Sequence, residues 1–397
     1  MSRFTDILME IGTIGKNEDG SITRIGFSED YKQAVALTKK YMEEAGFTTE
    51  IDTVYNLHGY LPGTDPNTKS IVIGSHLDTV IKGGIFDGCL GVCAGIEVAN
   101  RLKEEGIKLR HPLELWGFNM EESSPLGGTF GSRCVAGMVD INAEGYKERL
   151  EKYGITPEDI LAARRDVSEY ACYLEYHIEQ GDKLFNEGID IGVVSGIVSI
   201  IRYDIIAHGV SNHAGTTMMA NRKDALVGMS KLIVKANALA KKLDDTLVAT
   251  IGKINVSPGQ ENVIPNEVVA TLEVRHMEPS VIDEYIRLIK KHAAEIPDAE
   301  FTFQNTVSKY STPCDSTLIE TIKKVCEEAG ISHVVMPSGA GHDANPMAHA
   351  GVPIGMIFVP SKDGLSHCGA EWTEMHHCDI GVDILYRTVL ALDELMV

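Results

Sequence analysis

The sequence predicts an α/β fold interrupted by a smaller α+β sandwich, and three observations carry that reading. Short apolar runs without helical period alternate with helix-period segments in the first 140 residues, and again after Pro313. Between 200 and 312 the chain changes to half-polar strands and amphipathic helices. Its 397 residues, 44% hydrophobic and 23% charged, are enough for more than one domain at about 150 residues each. The expected organisation is residues 1–199 and 313–397 as one α/β domain, with 200–312 inserted into it.

The elements follow in order. Residues 28–45 open on Ser28 with Glu29 and Asp30 behind it, set Ala34, Leu37 and Tyr41 on one face, and stop at Gly46. That is a helix with an oxygen-bearing N-cap and a glycine stop. IVIGSH (71–76) is a buried strand, LGVCAGIEVANRLKEEG (90–106) a tightly packed helix with small residues early, and LELWGFN (113–119) a second strand. A helix between two such strands makes an α/β unit, whose functional groups gather at the carboxyl ends of the strands.

In the middle, 200–209 reads as a strand, and 222–242 sets Leu226, Met229, Leu232, Ile233, Ala236 and Leu239 at helical spacing. Residues 268–276 alternate Ala270, Leu272 and Val274 with Thr271, Glu273 and Arg275, a half-buried strand. A helix begins at Ser280 with Ile282, Ile286 and Ile289 inward. Past Pro313 come a helix over 316–329, ended by Gly330, and the strand GMIFVP (355–360).

Composition narrows the function. Lys plus Arg number 36 against 57 for Asp plus Glu, a formal charge of −21 that repels phosphate backbones and anionic lipid surfaces. No apolar stretch approaches the roughly 20 residues that span a bilayer. Asp6 and Glu10 interrupt what would be the apolar core of a signal peptide. The eight cysteines are scattered with no CxxC pair, as expected of free thiols in a reducing compartment. A cytoplasmic enzyme is the expected class.

Five segments place His, Asp or Glu directly after strand-like runs: GSHLDT (His76, Asp78), FDG (Asp87), MEE (Glu121, Glu122), EYHIEQG (His177) and GLSHC (His367). Singly, each has an ordinary explanation: a loop histidine, a solvated acidic pair, a turn. Jointly they supply what two divalent cations about 3.5–4 Å apart require, a bridging carboxylate flanked by His and carboxylate ligands. Asp87 is the expected bridge, with His76 and His177 on one metal and Glu122 and His367 on the other. Glu121, pointing away from its neighbour, stays free as general base toward a water. Asp78, two residues from His76, is expected to accept that imidazole's other N–H. Nitrogen and oxygen ligands favour Zn, Mn, Co or Ni. Cys368, His376, His377 and Cys378 form a second apparent cluster, but adjacent histidines pointing apart make packing the default there.

At these residues the sequence resembles the hydantoinase/carbamoylase group of di-metal amidohydrolases, which includes N-carbamoyl-L-amino acid hydrolases, allantoate amidohydrolases and β-ureidopropionases. These belong to the wider aminoacylase and carboxypeptidase G superfamily. The matching motifs span nearly the whole chain: GSHLDTV (74–80), GGIFDGCLGV (83–92), EESSPLGGTFGSR (121–133), YHIEQGDKL (176–184), NHAGTT (212–217), NVIPNEV (262–268), RH (275–276), SGAGHDA (338–344) and FVPSKDGLSH (358–367). The resemblance implies a mixed-sheet, di-metal exopeptidase-like catalytic domain with a lid or dimerisation domain, and a homodimer. It implies two divalent metal ions per subunit, Zn or Mn first, on His76, Asp87, Glu122, His177 and His367, with Glu121 in the acid/base role.

His213 matches the residue that helps hold the oxyanion when the lid closes. Asn262 and Arg275 match positions that hold a substrate carboxylate, Gln180 lies beside the amide or ureido group, and His342 lines the site. The substrate implied is a small anionic ureido or amide compound. Departures fall on the rim: Cys368-Gly369-Ala370-Glu371 stands where Ser-Pro-Glu-Glu is frequent, Met218 replaces a common Pro, and the Arg-Phe that often follows the Glu pair is missing. They put the substrate in question more than the chemistry. A dipeptidase or aminoacylase-like metallopeptidase is the alternative reading. A ligand-binding homologue without catalysis is a remoter one.

Overall fold

The computed structural model describes residues 2–122 and 124–396; Ser123, inside the EESSPLGGTFGSR motif, lies outside them, as do Met1 and Val397. The chain divides into two compact units. One runs to Ser195 and resumes at Pro313; the other is Gly196–Thr312.

The strands in chain order are β1 (Thr48–Ile51), β2 (Leu57–Leu61), β3 (Ser70–His76), β4 (Leu113–Phe118), β5 (Tyr170–Ile178), β6 (Ile191–Ile197), β7 (Ser199–His208), β8 (Val248–Ser257), β9 (Glu267–His276), β10 (Glu300–Lys309), β11 (Thr312–Pro313), β12 (His333–Ser338) and β13 (Ile354–Val359). The larger sheet has the order β1-β2-β4-β3-β5-β13-β6-β11, with β12 also paired to β6. It is mixed: β3 runs parallel to β4 and β5, and β5 parallel to β13, whereas β2 meets β4 and β6 meets β13 antiparallel. Every residue of β3 and β13 is buried, as befits strands covered on both faces. Because β3, β4, β5 and β13 are mutually parallel, their carboxyl ends open at one edge. Register sets His76 opposite Phe118 and His177 opposite Phe358 there.

The helix Cys89–Glu105 begins beside that edge and lies on β3 and β5. Its early small residues are a packing requirement. A Cβ on Gly91 would come 2.3 Å from the Tyr176 carbonyl oxygen, and one on Gly95 equally near Leu115. The helix Glu29–Ala45 carries the expected Ser28 and Gly46 caps. Among the helices without a counterpart in the sequence reading, two add to this core. Arg3–Gly12 buries Phe4, Ile7, Leu8 and Ile11 and turns Asp6 and Glu10 to the polar face of an amphipathic helix. Met375–Leu395 buries Val382, Leu385 and Val389 in the same core.

The second unit is a four-stranded antiparallel sheet, β10-β7-β9-β8, with the helices Ala225–Leu243 and Pro279–Ala294 and a core of its own. β9 buries alternate residues as expected. The sequence reading supplied β7 and β9 but neither edge strand, and it turned Leu226 inward. Leu226 is exposed, and Ala225 and Met229 take the buried positions. No helix among the described residues is long and apolar enough to cross a membrane, and all eight cysteines are free thiols.

Candidate metal centre

The open sheet edge gathers the side chains that the motifs scatter. His76 ends β3, His177 is the penultimate residue of β5, and Asp87 precedes the helix Cys89–Glu105. Glu121 and Glu122 follow β4, and His367 lies in the loop beyond β13. Asp87 sits at the centre. Its Oδ1 is 3.4 Å from His76 Nε2 and 3.2 Å from His177 Nε2, and its Oδ2 is 3.3 Å from His367 Nε2. Glu122 Oε1 is 3.4 Å from His367 Nε2, while Glu121 Oε2 leans the other way, 3.9 Å from His76 Nε2. Ligand-capable atoms of His76, Asp87 and His177, and separately of Asp87, Glu122 and His367, all fall within 4.8 Å of one another.

Hydrogen bonding tests whether cations fit. His76 Nδ1 faces the main-chain oxygen of Asp78 at 3.0 Å, and His177 Nδ1 that of Ile178 at 2.9 Å. A carbonyl only accepts, so both Nδ1 atoms carry the proton and both Nε2 lone pairs turn inward. His177 Nε2 also accepts the Gly88 N–H at 3.2 Å. It therefore meets Asp87 Oδ1 acceptor to acceptor, an arrangement that a cation between them relieves. Glu122 Oε1 is buried without a hydrogen-bond donor. A neutral interior would leave these groups unsatisfied, and hard-to-borderline divalent cations suit the N/O donor set.

The Peptidase family M20/M25/M40 profile matches residues 72–391. This chain belongs to that family. The N-carbamoyl-L-amino acid amidohydrolase of Geobacillus stearothermophilus is 35% identical, with 97% of both chains aligned. The allantoate amidohydrolase of Escherichia coli is 32% identical over 94% of each. A hydantoinase/carbamoylase family amidase from Burkholderia ambifaria superposes with a TM-score of 0.89 at 29% identity, covering 98% of this chain and 96% of that one. The chain is an M20-type amidohydrolase, a hydrolase of carbon–nitrogen bonds.

The electrostatics of the M20 site express its crowding of carboxylates. Burial raises the carboxyl of Glu121 well above its usual range, and Asp343, Glu122 and Asp78 push it further, against His76. Burial and then Asp87 raise Glu122 to about 7. Asp87 goes the opposite way: burial is outweighed by the imidazoles of His177, His367 and His76 set against it, which hold it well below its usual range. The hydrogen bond to Asp87 lifts His367 to about 9. Burial opposes the His76 imidazolium, yet Asp87, Glu121 and Asp78 hold its pKa well above normal. Each of these shifts marks a cluster whose carboxylates favour positive charge at its centre.

The remaining expected residues divide between the units. Gln180 Nε2 donates to Asp87 Oδ2 at 2.9 Å and lies 3.3 Å from His367 Nε2, while its Oε1 is buried without a partner. His342 is buried, its ring 4.8 Å from that of His177 and its Nε2 2.8 Å from Ser338 Oγ. Asp78 acts differently from expectation. Its main-chain oxygen receives the His76 N–H, while its carboxylate, 3.7 Å from Nδ1, accepts the main-chain N–H groups of Glu121 and Glu122.

His213, Asn262 and Arg275 belong to the second unit. His213 bridges to Val263 while Ala214 N donates to the Asn262 oxygen at 2.9 Å, so the two motifs are neighbours. Arg275, on β9, donates to Glu273 at 2.8 Å. Near the second apparent cluster, the rings of His376 and His377 lie 3.9 Å apart rather than diverging, and no metal-competent group among the described residues includes them.

Among the buried acids to which sequence reasoning assigned no role are Glu175 and Glu371. Glu175 stands on β5 two residues before His177, and its atoms lie within 4.8 Å of those of His177 and His342. A charged residue in phase with His177 on an otherwise apolar strand was the available signal. Glu371, 4% exposed, was read only as the end of the rim segment Cys368-Gly369-Ala370-Glu371.

Proposed function

We propose that this amidohydrolase cleaves the carbamoyl or ureido C–N bond of a small anionic linear amide, an N-carbamoyl-L-amino acid or an allantoate-like compound. The observation that carries the reading is Asp87, set between the inward Nε2 atoms of His76 and His177 on one side and His367 with Glu122 on the other. These five residues would hold two divalent cations, Zn or Mn first and Co or Ni as substitutes. Such cations supply a water acidic enough to react near neutral pH and positive charge for an oxyanion.

The chain's own groups do the rest. Glu121, whose burial gives it an unusual appetite for protons, takes one from the attacking water and returns it to the leaving nitrogen. His213 helps hold the oxyanion: its Nδ1 accepts the Gly215 N–H at 3.0 Å, which leaves the proton on Nε2 as a donor. Gln180 orients the ureido group, and Asn262 and Arg275 grip the carboxylate, a task that suits a guanidinium fork. His342 lines the site. The smaller unit serves as lid and dimer contact, and the protein works in the cytoplasm as a homodimer. Support comes from the N-carbamoyl and allantoate hydrolases that the chain resembles from end to end.

The test is a panel of N-carbamoyl-L-amino acids, N-carbamoyl-β-alanine, allantoate and dipeptides, assayed on metal-free protein resupplied with Mn, Co, Zn or Ni. Metal-dependent ammonia release from a carbamoyl or ureido compound is expected. Turnover of dipeptides alone would move the assignment to a peptidase.

A further inference from the structure

Asp87 is held by more than its imidazoles. Glu371 Oε1 accepts the main-chain N–H groups of Phe86 at 2.9 Å and Asp87 at 3.1 Å. Its Oε2 lies 3.0 Å from Ser366 Oγ, which is itself 3.1 Å from Asp87 Oδ2. Ser366 is the chain neighbour of His367. One buried carboxylate therefore ties the loop bearing the central Asp87 to the loop bearing His367, across 285 residues of sequence. The fit is close. A Cβ on Gly84 would come 2.1 Å from Glu371 Oε1, so the glycine makes room for that oxygen. The next residue adds a clasp, with the Trp372 ring edge-on to Phe86 at 5.3 Å between centroids.

We propose that Glu371 is a positioning residue of the metal centre, acting by reach more than by charge: it fixes the separation of Asp87 Oδ2 and His367 Nε2 at 3.3 Å, the pair that one cation must share. The proposal rests on the metal reading above. Groups that orient metal ligands typically change metal affinity about 10–100-fold when lost.

The test compares Glu371→Asp, which keeps the charge but falls one methylene short, with Glu371→Gln, whose amide oxygen still reaches both N–H groups. Metal-free protein is titrated with Co²⁺, following its visible absorption and the heat of binding, with circular dichroism to check the fold. Wild type is expected to take up two Co²⁺. E371D should bind one of them about 10–100-fold more weakly, with an altered absorption spectrum, while E371Q stays within about threefold of wild type. Wild-type affinity and spectrum in E371D would overturn the proposal, as would an E371Q defect as large as that of E371D; either leaves the metal reading standing. A wild-type protein that takes up no Co²⁺ overturns the metal reading and this proposal with it.

Discussion

The carboxylate of Asp78 receives the main-chain N–H of Glu121 at 3.0 Å through one oxygen, while its other oxygen takes the Glu122 N–H at 3.2 Å. Glu121 is thus presented by its backbone, independently of any ligand its side chain meets. Glu121→Gln preserves shape and backbone anchor and removes only the basic oxygen. Its kcat should fall by roughly 10²–10⁴, the usual range for losing a general base, while metal content by plasma mass spectrometry stays at the wild-type value. Near-normal turnover would take Glu121 out of the proton transfer.

Gly88 adopts φ +68°, and a Cβ there would lie 2.4 Å from His76 Cε1 and Nδ1. Gly88→Ala therefore strains the turn and drives the imidazole from its place. Metal affinity, measured by competition with a chromogenic chelator, should drop at least about tenfold in a protein whose circular dichroism is unchanged. Unaltered affinity would mean that His76 tolerates displacement and is no tight ligand.

What could be read from the sequence follows from burial. β3 and β13 are buried along their length and announce themselves as apolar runs, and β9 shows its alternation because one face alone is covered. β8 and β10 are edge strands with no buried residue: their inward side chains Ala249, Ile251, Phe301 and Phe303 are half-buried, and the alternation is short because the register shifts after Ile251 and after Asn305. Leu226 shows the limit of helical spacing, which names a face but not where the next element stops covering it. The candidate ligands were legible because His76 and His177 stand at the carboxyl ends of β3 and β5, and Glu122 and His367 in the segments beyond β4 and β13, positions that parallel strands bring together. The part played by Asp78 was half legible. Spacing put it on the side of His76 but did not distinguish its carbonyl from its carboxylate. Glu371 was hidden for a different reason: its partners Phe86 and Asp87 are distant in sequence and offer main-chain N–H groups, which every residue but proline has.

His213 carries its Nε2 proton as a donor because Nδ1 accepts from Gly215, and the residue is exposed. If it contributes to holding the oxyanion, His213→Ala should lower kcat by on the order of 10², with KM changed far less. Metal stoichiometry should not move, because the residue lies outside the ligand group. An unchanged kcat would remove it from the reaction.

Every candidate ligand lies in the larger unit, whose core is separate from that of Gly196–Thr312. A cation that binds only the folded site adds stability by mass action, about 2.7 kcal/mol at a free concentration 100 times its dissociation constant. That energy belongs to the transition of the unit holding the ligands, because two cores need not unfold as one. Scanning calorimetry with Zn²⁺ or Mn²⁺, and again after dialysis against a chelator, should lower one transition by roughly 5 °C and leave a second one near its original temperature. The shift follows from the ligands themselves: His177 Nε2 and Asp87 Oδ1, 3.2 Å apart in the folded site, are donor atoms a cation can hold together only while the larger unit is folded. A melting profile indifferent to the chelator, on protein shown to have contained metal, would mean that these residues do not hold it.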